Sequence, residues 1–159
     1  MIKSRYSKVE SLKIMGSAPN QALGPNIEIL VWNVFKCRKK GWLKDFTTLI
    51  HDKNLVILQE AVLNSSFDNL FNASSQHQWI MASSFMSVKT SIETGVKTGS
   101  TVAAVEHYFS ASAHGEPITK TKKMLLATLY PLDHLKQSLL VINVHAINFV
   151  SFEKFKAHM

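Results

Sequence analysis

Residues 27–60 read IEILVWNVFKCRKKGWLKDFTTLIHDKNLVILQE, and this stretch decides the fold. An apolar run ends in Trp32-Asn33, a basic loop and a segment with apolar residues at helical spacing follow, and a second apolar run ends in Gln59-Glu60. Unbroken apolar runs of this length read as strands buried on both faces, and the intervening segment is long enough for a helical crossover. The unit is β-α-β. A right-handed crossover between parallel strands puts Asn33 and Glu60 at one carboxyl-terminal sheet edge, where open α/β sheets place their ligands.

Working outward, Pro25 cannot donate to a ladder, so the first strand starts at Asn26 or Ile27 and runs to Asn33. Residues 1–25 form a basic, poorly ordered leader carrying Lys3, Arg5, Lys8 and Lys13, and residues 26–159 form the domain. Trp42, Phe46, Leu49 and Ile50 recur at spacings of three and four, which predicts a helix over 42–51 with one core-facing stripe. Further on, the pattern predicts a strand over 55–58, a short helix over 66–71 and a strand over 78–85. Thr94 to Thr98 and Thr101 to Tyr108 read as a hairpin turning at Gly99-Ser100. Two more strands are expected, Met124 to Tyr130 before Pro131 and Ser138 to Ala146. This order fits an α/β or α+β domain with a mixed sheet.

The chain has 159 residues, 46% of them hydrophobic and 18% charged, which are ordinary globular proportions for one domain. No stretch is long and apolar enough for a signal-peptide core or a membrane span, so a cytoplasmic protein without a transmembrane segment is expected. Eighteen Lys and Arg against eleven Asp and Glu leave a net charge of +7, which favours a polyanionic partner. The single Cys37 excludes an intrachain disulfide framework and a multi-cysteine zinc site. Its basic neighbours would lower its pKa, but without a helper histidine nearby it reads as an ordinary loop cysteine.

Three strands end in polar residues: Asn33, Glu60 and His145. Taken singly, a strand-end carboxylate is most often a solvated edge residue, and a lone histidine a surface or satisfied core group. Together they supply a hard oxygen ligand, an orienting amide and an imidazole for proton transfer or oxyanion stabilisation. That set suits metal-assisted hydrolysis of a phosphate ester. Lys36, Arg38, Lys39 and Lys40 follow Asn33 directly and form a basic rim for backbone phosphates of a nucleic acid. Trp32 and Trp42 lie in core-facing patterns and are expected to pack rather than to stack on bases.

The segments WNVFK (32–36), LVILQEA (55–61), TGV (94–96), EP (116–117) and VINVHAINF (141–149), in this order, resemble the endonuclease/exonuclease/phosphatase superfamily, in particular a bacterial subgroup. The resemblance implies a deoxyribonuclease-like four-layer α/β sandwich, of which this chain supplies about one mixed sheet with flanking helices. It further implies a Mg²⁺-dependent phosphoester hydrolase, with Mn²⁺ as a substitute. Glu60 would bind the metal, Asn33 would position that ligand and the phosphate, and His145 would bond the scissile phosphate. Glu93 stands either for a family glutamate that supports the histidine or for an exposed loop residue. The family's later G-D-F-N and S-D-H motifs do not occur before Met159, so the chain is expected to be truncated on its carboxyl-terminal side and incomplete for catalysis. The substrate would be a nucleic acid or a smaller phosphate ester, with a phospholipid or phosphoinositide as the alternative within hydrolases. A non-catalytic polyanion-binding remnant is the alternative outside them. One apolar sheet face would be left uncovered and open to self-association.

Overall fold

The computed structural model describes residues 12–74, 76–133 and 136–157, and of residues 3–4 and 65–67 the backbone path alone. Its strands are β1 (Lys3–Ser4), β2 (Leu12–Met15), β3 (Ile29–Asn33), β4 (Leu55–Leu63), β5 (Gln78–Ser87), β6 (Ile92–Ser100), β7 (Glu106–Ala111), β8 (Met124–Pro131) and β9 (Ser138–Val144). The helices are α1 (Trp42–Leu49), α2 (Ser65–Asn72) and α3 (Phe152–Lys156). The fold is mixed α/β.

The β3-α1-β4 unit forms, but only β4 is covered on both faces: β3 is an edge strand whose Ile29 and Val31 are exposed, so its unbroken apolar run does not mean burial on both sides. β3 and β4 pair in parallel from Ile29 opposite Leu55 to Asn33 opposite Gln59. A six-stranded mixed sheet runs in the order β1-β5-β6-β4-β3, with β2 also on the outer side of β5. Because successive strand residues point to opposite faces, β4 feeds two cores. Val56 and Leu58 join Phe46, Phe71, Trp79 and Met81 under α1 and α2. Leu55 and Ile57 face the other way, toward Tyr130 and Val141. Trp32 and Trp42 pack against the helix-side core, as their spacing predicts. Of the α1 stripe, Phe46 is buried and Trp42 and Ile50 pack beside it, whereas Leu49 is exposed.

Three expectations are corrected. First, residues 12–25 are no loose leader: β2 pairs with β5, Leu23 is buried, and Asn20 and Leu23 bridge to Val102 and Leu132. Residues 1, 2 and 5–11 lie outside the described residues. Second, no hairpin turns at Gly99-Ser100. β6 runs unbroken to Ser100 and pairs with β5 across a turn at 88–91, while β7 belongs to the other sheet. Glycine marks close approach at this point instead, since a Cβ on Gly99 would stand 2.4 Å from the Trp79 ring. Third, the chain supplies two sheets. An antiparallel sheet in the order β7-β8-β9 covers the second face of the large sheet, with Met124 and Leu126 meeting Ile80, Ala82 and Val96. Apolar side chains remain exposed on the outer face of the small sheet, at Tyr108, Leu140 and Ile142, and at Ile29 and Val31 of the edge strand β3.

Lys97 in β6 is 0% exposed. Its Nζ donates to the Val62 carbonyl at 3.1 Å and sits 3.3 Å from the centroid of the Phe71 ring. Burial pushes its pKa down to about 7, against the pull of Cys37, Asp68 and Glu93. The unfolded chain keeps this lysine protonated up to its ordinary 10.5, so between about 7 and 10.5 the unfolded state binds the extra proton. Stability from this group should therefore rise with pH across that window, by up to about 1.4 kcal/mol per pH unit, and be lowest below it. Lys97→Met should stabilise the chain by roughly 1–4 kcal/mol below the window and flatten the rise. Urea titrations at a series of pH values measure both, and an unchanged slope in the variant would sink this assignment. Cys37 is affected in the opposite sense to the sequence expectation: burial pushes its thiol up to about 11, with Lys97 opposing.

Candidate functional site

Asn33 ends β3, and the chain then makes a 3-10 turn at Phe35–Cys37. Phe35, Lys36 and Cys37 all have positive φ, at 49°, 55° and 56°. Left-handed backbone costs an L-residue roughly 1–2 kcal/mol, so three in succession need outside support. Asn33 provides part of it: its Oδ1 accepts the Phe35 N–H at 3.0 Å while its Nδ2 donates to Glu60 Oε1 at 3.4 Å. The Val34 N–H donates to the Gln59 carbonyl at 3.0 Å and ties the turn to β4.

Glu60 sits in a β-bulge, where the pairing of β4 with β6 shifts between Leu58 and Ala61, and it too has positive φ, 49°. A bulge re-aims a side chain that regular pleating would send elsewhere. Asn143 of β9, 1% exposed, holds the bulge from the opposite sheet. Its Nδ2 donates to the carbonyls of Leu58 and Lys97, both at 3.1 Å, and its Oδ1 accepts from Gln59 Nε2 at 2.9 Å. Two residues later the His145 N–H donates to the Met124 carbonyl, which places its Nε2 3.8 Å from Glu60 Oε1.

Asn33, Glu60 and His145 thus converge, although Glu60 is not the strand end its sequence suggests, because β4 runs on through the bulge and pairs with β6 as far as Leu63. Lys36 Nζ lies 3.9 Å from Glu60 Oε2. Lys123, just before β8, lines the same narrow pocket with Thr94, Gly95, Met124 and His145. Lys123 pairs with Glu116 at 3.1 Å, and the other oxygen of Glu116 accepts from Thr119 Oγ1 at 2.9 Å. Burial tends to raise the Glu116 pKa, but these bonds and the charges of Lys123 and His145 leave it lowered. The His145 pKa is lowered by burial first and by Lys123 next, against Glu60 and Glu116. An imidazole held neutral near pH 7 can both donate one hydrogen bond and accept a proton.

Arg38, Lys39 and Lys40 are exposed on the rim beside this pocket's Lys36. Glu93 is neither an exposed loop residue nor free to support His145, because it is buried in β6 with its carboxylate taken by Lys13 at 2.6 Å and Ser83 at 2.7 Å. The carboxylates acting on His145 are Glu60 and Glu116. Sequence reasoning missed Gln59, Asn143, Glu116 and Lys123. Asn143 carried a signal, an amide inside the apolar run VINV.

For a divalent ion the fit is thin. Asn33 turns its donor toward Glu60 and its oxygen toward Phe35, which leaves Glu60 as the hard oxygen ligand. Among the described residues no group of three or more His, Cys, Asp or Glu is placed to hold a metal. Mg²⁺ can bind through one carboxylate with water and substrate oxygens, but then only weakly.

The fold and site define a two-sheet α/β domain with an Asn-Glu-His cluster framed by lysines at a parallel strand edge. The chain is similar to proteins named UPF0294. It is 32% identical to one from Erwinia tasmaniensis over 79% of this chain and 45% of that protein. It is 30% identical to one from Vibrio parahaemolyticus over 94% of this chain and 52% of that protein, and 32% identical to one from Yersinia pestis over 77% and 45%. The chain spans about half the length of the curated relatives it matches. No protein-family model matches it, and no solved structure does.

These findings overturn the resemblance to the endonuclease/exonuclease/phosphatase superfamily: the relatives carry another family name. The physical reason is that apolar strands ending in polar residues belong to any open α/β sheet with a ligand edge, so such segments identify an architecture and not a lineage. No helix among the described residues is long and apolar enough to cross a membrane.

Proposed function

We propose that the pocket lined by Lys36, Glu60, Lys123 and His145, with Asn33 bonded to Glu60 beside it, binds a phosphate ester and that the domain serves metal-dependent phosphoester hydrolysis. The observation that carries this reading is the convergence on Glu60 of an amide at 3.4 Å and an imidazole at 3.8 Å, beside a pocket that Glu60 and His145 line together with Lys36 and Lys123. Lysines neutralise phosphate oxygens, and His145 would donate a hydrogen bond to the scissile group or take a proton from water. Glu60 would hold Mg²⁺ or Mn²⁺ and Asn33 would keep its carboxylate oriented; the ion, when bound, supplies charge stabilisation. A non-catalytic polyanion-binding role is favoured by one feature, the Lys36 ammonium 3.9 Å from Glu60, which competes with a metal for the carboxylate.

The four-layer arrangement belongs to the same proposal. A further layer over Tyr108, Leu140 and Ile142 would complete it, and self-association of this chain would use that face.

The deciding experiment is hydrolysis of bis(p-nitrophenyl) phosphate with Mg²⁺ or Mn²⁺ by a chain of the relatives' length. Glu60→Gln should lower turnover by about 10²-fold or more and raise the metal concentration required, with an unchanged melting curve. Equal turnover in the variant removes Glu60 from the mechanism.

A further inference from the structure

Phe35 is a large apolar residue placed where folding alone would not put it. It follows Asn33 by two positions, 50% exposed, on a backbone with φ of 49°. Bulky residues at positive φ are genuine outliers, and such strain gathers at sites where a side chain must be presented. The structure holds the strain in place: the Phe35 N–H is bonded to Asn33 Oδ1, and its carbonyl accepts the Arg38 N–H at 3.2 Å. Lys39 Nζ stands 5.6 Å from the centroid of the ring. Phe149, four residues beyond His145, repeats the combination, 83% exposed with φ of 59°. Each thus follows a site residue closely along the chain.

We propose that Phe35 is a stacking platform for a nucleobase, and that the phosphate ester taken by the pocket is the backbone of a single-stranded nucleic acid. This rests on the phosphate-site reading above and names its substrate class. Aromatic rings beside cationic side chains are how single strands are held without reading sequence: the lysines track phosphates while any base offers a flat face to the ring. Lys36, Arg38, Lys39 and Lys40 lie on the Phe35 side, and Lys123, preceded by Lys120 and Lys122, is at the pocket itself. The residues following Phe35 are mostly cationic, which suits a phosphate backbone beside the ring.

The test measures binding without turnover. Fluorescence anisotropy of short labelled single-stranded DNA and RNA in EDTA compares the parent with Phe35→Leu and Phe35→Tyr. Phe35→Leu keeps the apolar bulk but loses the ring, and should weaken binding by about tenfold, while Phe35→Tyr stays near the parent. Inorganic polyphosphate and phosphatidylserine vesicles are the controls. Leu and Tyr variants that bind alike, polyphosphate binding as tightly as the oligonucleotides, or vesicle binding that alone responds to Phe35 would each overturn the stacking proposal. Since no metal or hydrolysis enters, ring-dependent binding would stand even where Glu60→Gln showed the hydrolase reading to be wrong, and active hydrolysis with ring-independent binding would sink the stacking platform alone.

Discussion

Replacing Asn143 by leucine is expected to cost about 3–5 kcal/mol and to dissolve the candidate site along with the stability. Leucine has the same branching and heavy-atom count but larger terminal groups, so the cost combines lost polar partners with crowding in a buried site. The Leu58 and Lys97 carbonyls and the Gln59 amide would each lose an Asn143 partner, and a buried polar group left without one costs about 1–3 kcal/mol. All three lie at or beside the bulge that aims Glu60, so the carboxylate should lose its fixed approach to Asn33 and His145. Urea unfolding reads the first effect. Under the hydrolase reading proposed above, the second would be read by bis(p-nitrophenyl) phosphate turnover per folded molecule in a chain of the relatives' length, which should fall further than the folded fraction does. A variant within about 1 kcal/mol of the parent would show that water replaces the clamp.

Gly95→Ala should be at least as damaging, costing more than about 3 kcal/mol, because its first added atom meets backbone. A Cβ there would stand 2.0 Å from the Ala82 carbonyl oxygen and 2.9 Å from the Ser83 Cα. Gly95 pairs with Ala61 on one side and Ser83 on the other, and both neighbouring ladders are irregular at this level. The glycine lets two irregular strands close on the pocket floor that it lines. Its φ is ordinary, so the cost is steric and not conformational. Thermal melts and expression level measure it. A stable Gly95→Ala chain with the parent's melting temperature would mean that β5 can withdraw freely, contrary to the packing of Met81 and Ala82 in two cores.

The β3-α1-β4 unit was legible because its information is local: apolar runs, a stripe at helical spacing and polar strand ends. That Asn33 and Glu60 come to one level of the sheet followed from parallel pairing, which sets Asn33 opposite Gln59, but the bulge at Glu60, which nothing local announces, is what aims the carboxylate at the amide. Other features were misread where local pattern competes with long-range pairing. Gly99-Ser100 resembles a hairpin turn, yet its glycine is there to admit Trp79 from the next strand. Glu93 reads in the sequence either as a support for His145 or as an exposed loop residue, and it is neither, because nothing local announces Ser83 or Lys13 as its partners. Residues 12–25 looked unpatterned because β2 is a short edge strand.

By itself the sequence determined the element types of the central unit, the basic frame and the polar residues Asn33 and His145 at the ends of their strands, all of which depend on residues a few positions apart. Only the tertiary structure decided that the small sheet covers the large one, that Asn143 reaches across to hold the Glu60 bulge, and that Lys97 lies dry beneath Phe71. Cys37 shows the reason most simply. Its sequence neighbours are cations that would lower its pKa, but burial costs the thiolate its hydration, and burial is a property of distant chain brought near.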